Sequence, residues 1–304
     1  MPNKSSLFSR LRKDWDTHGG ELLPKNTLLC PLCWQQCSLL DLSVEHVVPK
    51  SVGGHCVTLT CRSCNNRHGS LYDRQLAYFQ QAADAVRGYG ELPVDVFFTE
   101  ELRVGAALRI DGDAFRTLSI QPRRTNPHCI QTLRGHAEAS TLPSDEVKIS
   151  LQKMPVENSF RAALVRAAYL TCFHQFGYRY AVSDAAATVR KALEIVETQP
   201  RIVRLLAGLR TTSDSGPENA RSTLLHTVQL TSVAETEETT ETVIAKAFLV
   251  RLRLKTNTSS THFILLPSPP DSSEQLLTLL ELMAQQGRMR VHFELGNGVS
   301  ESGE

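Results

Sequence analysis

The chain has 304 residues, 41% of them hydrophobic and 21% charged, and a formal net charge of +1. That length and apolar content allow a real core and suggest two domains of ordinary size. So balanced a charge excludes bulk electrostatic attraction to nucleic acid, which would have to come from local patches.

Residues 1–24 read as a lead-in with a short helix over 7–15, ended by Gly19-Gly20. Its bases Lys4, Arg10, Arg12 and Lys13 read as a solvated helix face. The stretch 1–20 lacks the apolar segment of a signal peptide, and no apolar run approaches the roughly 20 residues that span a bilayer. A soluble, cytoplasmic protein with no membrane role is expected.

Chemistry concentrates between Cys30 and Gly69, which hold two Cys-x-x-Cys pairs, Cys30/Cys33 and Cys61/Cys64. Two such pairs supply four thiolates in tetrahedral array, the donor set of a closed structural Zn2+ site. The interval 34–60 exceeds the roughly 15–20 residues of a simple zinc ribbon, so a β-hairpin is expected inside it. Cys37 and Cys56 fall outside the pair spacing and read as packing residues. With four of eight cysteines in metal spacing, the composition suits a reducing compartment better than a disulfide framework.

Within the interval, Leu40, Leu42 and Val44 alternate as a strand, ended by Val47-Val48-Pro49 before a Gly53-Gly54 turn. His46 falls at the strand end. Adjacent strand residues point to opposite faces, so Glu45 and His46 reach one site only if the strand ends or bulges there. A helix is expected over 63–81, where Asn65 and His68, three apart, share a face.

At Cys30, Cys33, Glu45, His46, Pro49, Gly53, Gly54, Cys61, Cys64, Asn65 and Gly69 the chain resembles the HNH endonucleases. Within these ββα-metal nucleases it is similar to the group whose ββα unit is clipped by two zinc-binding Cys-x-x-Cys knuckles. The resemblance covers about residues 25–80. It implies an α+β fold, with a zinc-stabilised ββα-metal (HNH) unit at 25–85 followed by an α+β accessory region at 90–295. It also implies that Glu45 and Asn65 hold a divalent cation such as Mg2+, and that His46 is the general base in hydrolysis of DNA phosphodiesters.

The residue types suit that chemistry. Phosphodiester hydrolysis needs a base for the attacking water and a cation for the developing charge. Histidine is already partly neutral at cellular pH, and magnesium often binds through one or two side chains plus waters and substrate phosphate. Where many relatives carry lysine this chain has His68, either a third metal ligand or a phosphate contact. Where many carry a loop-steadying asparagine it has His55-Cys56. A second reading is a non-catalytic zinc-stabilised nucleic-acid-binding or interaction module. A third, a zinc hydrolase for small molecules, lacks any ligand cluster beyond this unit.

Downstream, strands are expected over 94–98, 102–110 and 114–120, the last two joined by the turn residues Asp111-Gly112-Asp113, and a helix over 126–136. His128, Cys129 and His136 match no usual ligand spacing. The clearest helix is 156–176, with Phe160, Leu164, Ala168 and Cys172 four residues apart and Gly177 stopping it. A brief strand at 178–182 and a helix from Ser183 or Asp184 to 197 follow. Tyr169, Phe173, Phe176, Tyr178 and Tyr180 read as core. A linker at 211–219 marks a candidate split, before strands at 222–233, 242–254 and 261–266, a helix at 274–286, a strand at 288–295 and a mobile tail at 296–304. Arg251, Arg253 and Lys255 share one strand face, a polar outer face or a DNA path. Residues beyond 90 are expected to set substrate choice, because the HNH unit has few base-reading side chains.

Overall fold

Helix α1 (Lys4–His18) starts where the Asn3 side chain accepts from the Ser6 amide at 2.8 Å, a side-chain N-cap. Its inner face buries Leu7, Phe8, Leu11 and Trp15. Arg12 differs from the solvated base expected of it: its guanidinium donates to the carbonyls of Leu23, Pro24 and Thr27. The structure, a computed structural model, describes residues 3–111, 115–141, 147–152, 155–208, 212–213, 223–235, 240–270, 273–286 and 294–295.

Strand β1 (Thr27–Leu29) pairs antiparallel with β2 (Gln36–Ser38), and the first cysteine pair lies in the turn between them. Strand β3 (Leu42–His46) pairs antiparallel with β4 (Val57–Cys61) from Leu42↔Cys61 to His46↔Val57, the expected hairpin. The connection holds Gly53 at φ 86°, and a Cβ on Gly54 would lie 1.7 Å from the Val48 carbonyl oxygen, so the turn admits no side chain there. After β4 the chain enters α2 (Arg62–His68), a π-helical turn at Gly69–Asp73 and α3 (Arg74–Val86). The single helix expected over 63–81 is thus interrupted by one widened turn, which brings Asp73 into the site described below.

The chain forms two units: Met1–Leu76 with Val156–Lys255 and Ser259–Glu304, and Ala77–Pro155 with Thr256–Thr258. This division differs from the expected boundary near residue 90, since the cysteine-bearing hairpin belongs with residues from 156 onward. The second unit holds an antiparallel sheet of β5 (Glu91–Phe97), β6 (Arg103–Asp111), β7 (Phe115–Ile120) and β8 (Lys148–Leu151) in the order β7-β6-β5-β8. Helix α4 (Pro127–Glu138), capped by Asn126, contributes Cys129 to a core with Leu92, Val94, Val96, Val104 and Leu108. Cys129 is therefore a packing residue.

The rest of the first unit runs through α5 (Glu157–Phe176), α6 (Tyr178–Ala181), α7 (Asp184–Glu194), α8 (Arg201–Leu206), β9 (Thr212–Ser213), β10 (Thr223–Glu235), β11 (Thr240–Lys255), β12 (Ser259–Pro267), α9 (Ser273–Gln286) and β13 (Glu294–Leu295). The strands form one antiparallel sheet ordered β13-β10-β11-β12-β9. Most of the expected linker, and residues 236–239, 287–293 and 296–304, lie outside the described residues. The basic strip on β11 does not form as one exposed face: Arg253 is buried and donates to Ser259 Oγ at 3.3 Å, leaving only Arg251 and Lys255 half-buried.

Helix α5 is buried continuously from Ala162 to Phe173, the mark of a helix enclosed on all sides rather than an amphipathic one. Residues 178–181 are helical, not the strand that their alternation suggested. Gly177, at φ 58°, stops α5 and lets the chain restart; a Cβ there would meet Asp14 Oδ2 at 2.1 Å, and that carboxylate accepts from the Tyr178 amide. The aromatics pack as core: Trp15 and Tyr178 meet edge-on at 4.9 Å, Phe173 and Tyr178 at 5.2 Å. Together with α1 and the hairpin, Phe173, Tyr178 and Ala181 build one apolar cluster that includes Cys30, Cys37, Cys61 and Cys64. Cys37 is a packing residue, as expected.

His262 on β12 is 2% exposed, edge-on to Phe160 and 3.1 Å from Ser260 Oγ. Burial lowers its pKa to about 4, whereas in the unfolded chain it takes a proton near 6.5. Its folded pKa is depressed, so stability is complete above about pH 6.5 and falls as pH drops toward 4. The expected contribution to that fall is at most about 3 kcal/mol. Melting curves across pH 4–7 should flatten in His262→Gln; an unchanged slope would mean that the acid loss comes from other groups.

Candidate functional site

The four paired cysteines converge. Cys30 and Cys33 leave the β1–β2 turn, Cys61 ends β4 and Cys64 lies in the first turn of α2; their sulfur atoms all lie within 4.8 Å of one another. Cys33 and Cys61 Sγ are 3.8 Å apart, the edge of a tetrahedron with metal–sulfur bonds of about 2.3 Å. Backbone amides point at the sulfurs, Cys61 N to Cys30 Sγ and Cys64 N to Cys61 Sγ, each at 3.3 Å. Cys30, Cys61 and Cys64 are buried and Cys33 is exposed. A hydrogen bond with Cys30 lowers the Cys61 thiol to about 5 and Cys33 to about 7, while Cys30 is pushed up by the same sharing and by burial. Two of the four thiols, Cys33 and Cys61, are thus shifted toward the thiolate form in which cysteine binds a metal. All eight cysteines are free thiols, and this cluster can hold a metal ion such as zinc.

A second centre lies on the face of the hairpin toward α2. Glu45, 1% exposed, accepts from Thr60 Oγ1 at 3.2 Å and from Arg166 Nη2 at 2.5 Å. Arg166 comes from α5 and is itself 1% exposed. Its Nη1 donates to Asp73 Oδ1 at 2.9 Å and its Nε to His68 Nδ1 at 3.0 Å. Burial, then the charges of Arg166 and Arg67, lower His68 to about 3. The imidazole is therefore neutral, and accepting through Nδ1 puts its proton on Nε2. Burial raises Asp73 to about 6, against the pull of Arg166 and with the push of Glu45.

Of the expected catalytic set, Glu45 and His68 meet at this centre, and Asp73 and Arg166 join them. Asn65 takes another position: its Nδ2 donates to Ser43 Oγ at 2.9 Å and to the Val44 carbonyl at 3.1 Å, leaving its carbonyl oxygen as the atom that a cation would take. His46 is half-buried, and its Nε2 is enclosed without a hydrogen-bond partner. The β3–β4 ladder runs unbroken through both Glu45 and His46, so strand alternation directs them to opposite faces. Glu45, Asp73 and His68 each bind a different nitrogen of one guanidinium. Among the described residues, only the four cysteines bring metal-binding atoms close enough to share an ion. As arranged, the second centre fits a guanidinium and not a small cation.

A cleft of about 650 Å³ opens beside both centres, with Cys33, Trp34, Arg67, His68, Tyr72 and Lys191 among its walls. Arg190 also lines it, but is committed: its guanidinium lies 4.1 Å from the Trp34 ring centroid and donates to Tyr169 Oη and the Ala181 carbonyl. Sequence reasoning missed Arg166 and Asp73. One signal for Arg166 was present, a lone cation within the run from Ala162 to Phe173. No helix among the described residues is long and apolar enough to cross a membrane. Comparison with family models, curated proteins and solved structures finds no match to this chain.

Proposed function

We propose that the protein is a zinc-stabilised endonuclease of the HNH type, hydrolysing DNA phosphodiesters in a reducing cytoplasm. The observation that carries the reading is the hairpin-and-helix element clipped by four thiols. On it, the family-like Glu45 and His68, which stands where many relatives carry lysine, converge on one buried centre. In this reading His46 is the general base, and Arg67 and Lys191 on the cleft wall meet the phosphate backbone, a local positive patch on a nearly neutral chain. The resemblance gives Glu45 and Asn65 as ligands of a divalent cation, but Glu45 is committed to Arg166 and Asn65 lies apart from it, so no step is assigned to a cation here.

One observation favours the second reading, a non-catalytic nucleic-acid-binding module: Glu45 is already paired, in a buried place, with Arg166. The two readings separate in one experiment, incubation of the purified chain with supercoiled plasmid and Mg2+ or Mn2+, with and without chelator. Nicked or linear products that chelator abolishes are expected. Plasmid bound and shifted but left intact with every cation would favour the binding module.

A further inference from the structure

We propose that His68 binds a backbone phosphate of a DNA strand in the cleft, giving its Nε2–H to a non-bridging oxygen, and that Arg166 is the positioning residue that fixes this donor. The inference rests on the reading above in taking the cleft for the path of the strand. Three features carry it. First, the roles of the two ring nitrogens are determined by bonding. Arg166 Nε has only a proton to give and gives it to His68 Nδ1 at 3.0 Å, so Nδ1 accepts and the ring proton sits on Nε2. Both nitrogens are thereby taken as metal ligands: Nδ1 has its lone pair on Arg166, and Nε2 carries the proton. Arg166 does not swing away, because Glu45 and Asp73 hold its other two nitrogens at 2.5 and 2.9 Å and it is 1% exposed. Tyr72 backs the imidazole, with ring centroids 5.1 Å apart.

Second, the proton on Nε2 has no taker in the protein. His68 Nε2 makes no hydrogen bond among the described residues, and unlike His46 Nε2 it is not sealed from solvent. The half-buried ring lies in the wall of the 650 Å³ cleft. Third, that wall suits an anion. Arg67 and Lys191 are exposed and form no ion pair among the described residues, and Glu194 is the one carboxylate beside them. The two cations draw the strand in through charge, whereas the pinned imidazole adds direction. A hydrogen bond to a charged phosphate oxygen is roughly twice as strong as one between neutral groups. Because the donor itself is uncharged, it releases no counterion, which separates its contribution from that of Arg67.

The test uses the full zinc-loaded chain, with a short labelled DNA duplex as probe and no other divalent cation added, so that the duplex stays intact. In protein carrying 15N-histidine, long-range 1H–15N correlation should show His68 protonated on Nε2 and bare on Nδ1, and saturating duplex should move the Nε2 signal. His68→Phe, which keeps a ring and loses the donor, should bind the duplex about tenfold more weakly with the same salt dependence. Arg67→Ala should instead lower the slope of log affinity against log salt by about 1. His68→Gln, whose amide can accept from Arg166 and donate into the cleft at once, should recover most of the loss. A ring proton on Nδ1, or an Nε2 signal unmoved by bound duplex, would overturn the proposal, and the parent spectrum decides this even where His68→Phe is unstable. Full affinity in a folded His68→Phe would overturn it too, as would equal weakness in the Phe and Gln variants. A moved Nε2 signal with plasmid left uncut at every cation keeps the role of His68 and sinks the nuclease reading. Chelator-sensitive cutting with an unmoved Nε2 does the reverse.

Discussion

If Cys30, Cys33, Cys61 and Cys64 hold zinc, as their spacing allows, stripping it is expected to unfold the hairpin and the helix that follows it. The magnitude comes from two sides. Structural zinc in a small unit contributes about 10–16 kcal/mol of binding free energy, and that energy is folding energy, because the unfolded chain has no preformed site. Here the thiols are also part of the apolar cluster with Trp15, Leu28, Phe173 and Tyr178, so release of the metal leaves ionisable sulfur inside a core. Elemental analysis should find one zinc per chain. The Cys30→Ser/Cys61→Ser double variant should lose it and melt roughly 10 °C lower or more. Folded protein without zinc, or an unchanged melt in the double variant, would show that α1 and α5 hold the hairpin without a metal.

The legible and illegible parts of this fold divide by the distance over which a signal acts. The cysteine pairs, the Gly53-Gly54 turn and the β3–β4 hairpin were readable because each depends on residues close in sequence. Spacing alone set the donor type, and a hairpin was the simplest insert for the gap. Arg166 was not readable as a partner of Glu45, since 121 residues separate them and no local periodicity encodes which carboxylate a buried arginine will meet. Helix α6 failed for a different reason. Tyr178, Tyr180 and Ala181 are all buried, and a segment of four residues enclosed on most sides shows neither a period of two nor of 3.6.

The misjudged surface charges follow the same division. Arg12 and Arg253 were assigned to solvent from the pattern of their own helix or strand, yet each ends on oxygens supplied by another segment. The expected domain boundary went astray for a related reason. The pattern from 25 to 85 looks self-sufficient, but about half of its apolar cluster arrives from α1 and from α5–α6, and the latter follow the long Ala77–Pro155 segment of the second unit in sequence. A chain ending near residue 87 therefore lacks part of its own core, and cannot by itself report what the later residues contribute to substrate choice.

His46 offers the second large effect, because its position makes opposite demands on stability and activity. Its Nε2 is enclosed without a hydrogen-bond partner, and leaving a buried polar group unsatisfied costs about 1–3 kcal/mol. A histidine kept only for structure would bond that nitrogen or give way to an apolar residue. Replacing it by leucine, close in volume and with no polar atom, should therefore raise the melting temperature. If His46 is the general base, both His46→Leu and His46→Ala should slow plasmid cleavage by about 10²–10⁴ while zinc content stays at one per chain. The combination is diagnostic, since a variant more stable than the parent and nearly inactive has lost chemistry rather than fold. Cleavage within about threefold of the parent would assign the base to another residue, because loss of a general base costs far more than that. A lower melting temperature in His46→Leu would mean that the imidazole contributes to packing or to a bond formed through its other nitrogen, and its enclosure would then have no functional meaning.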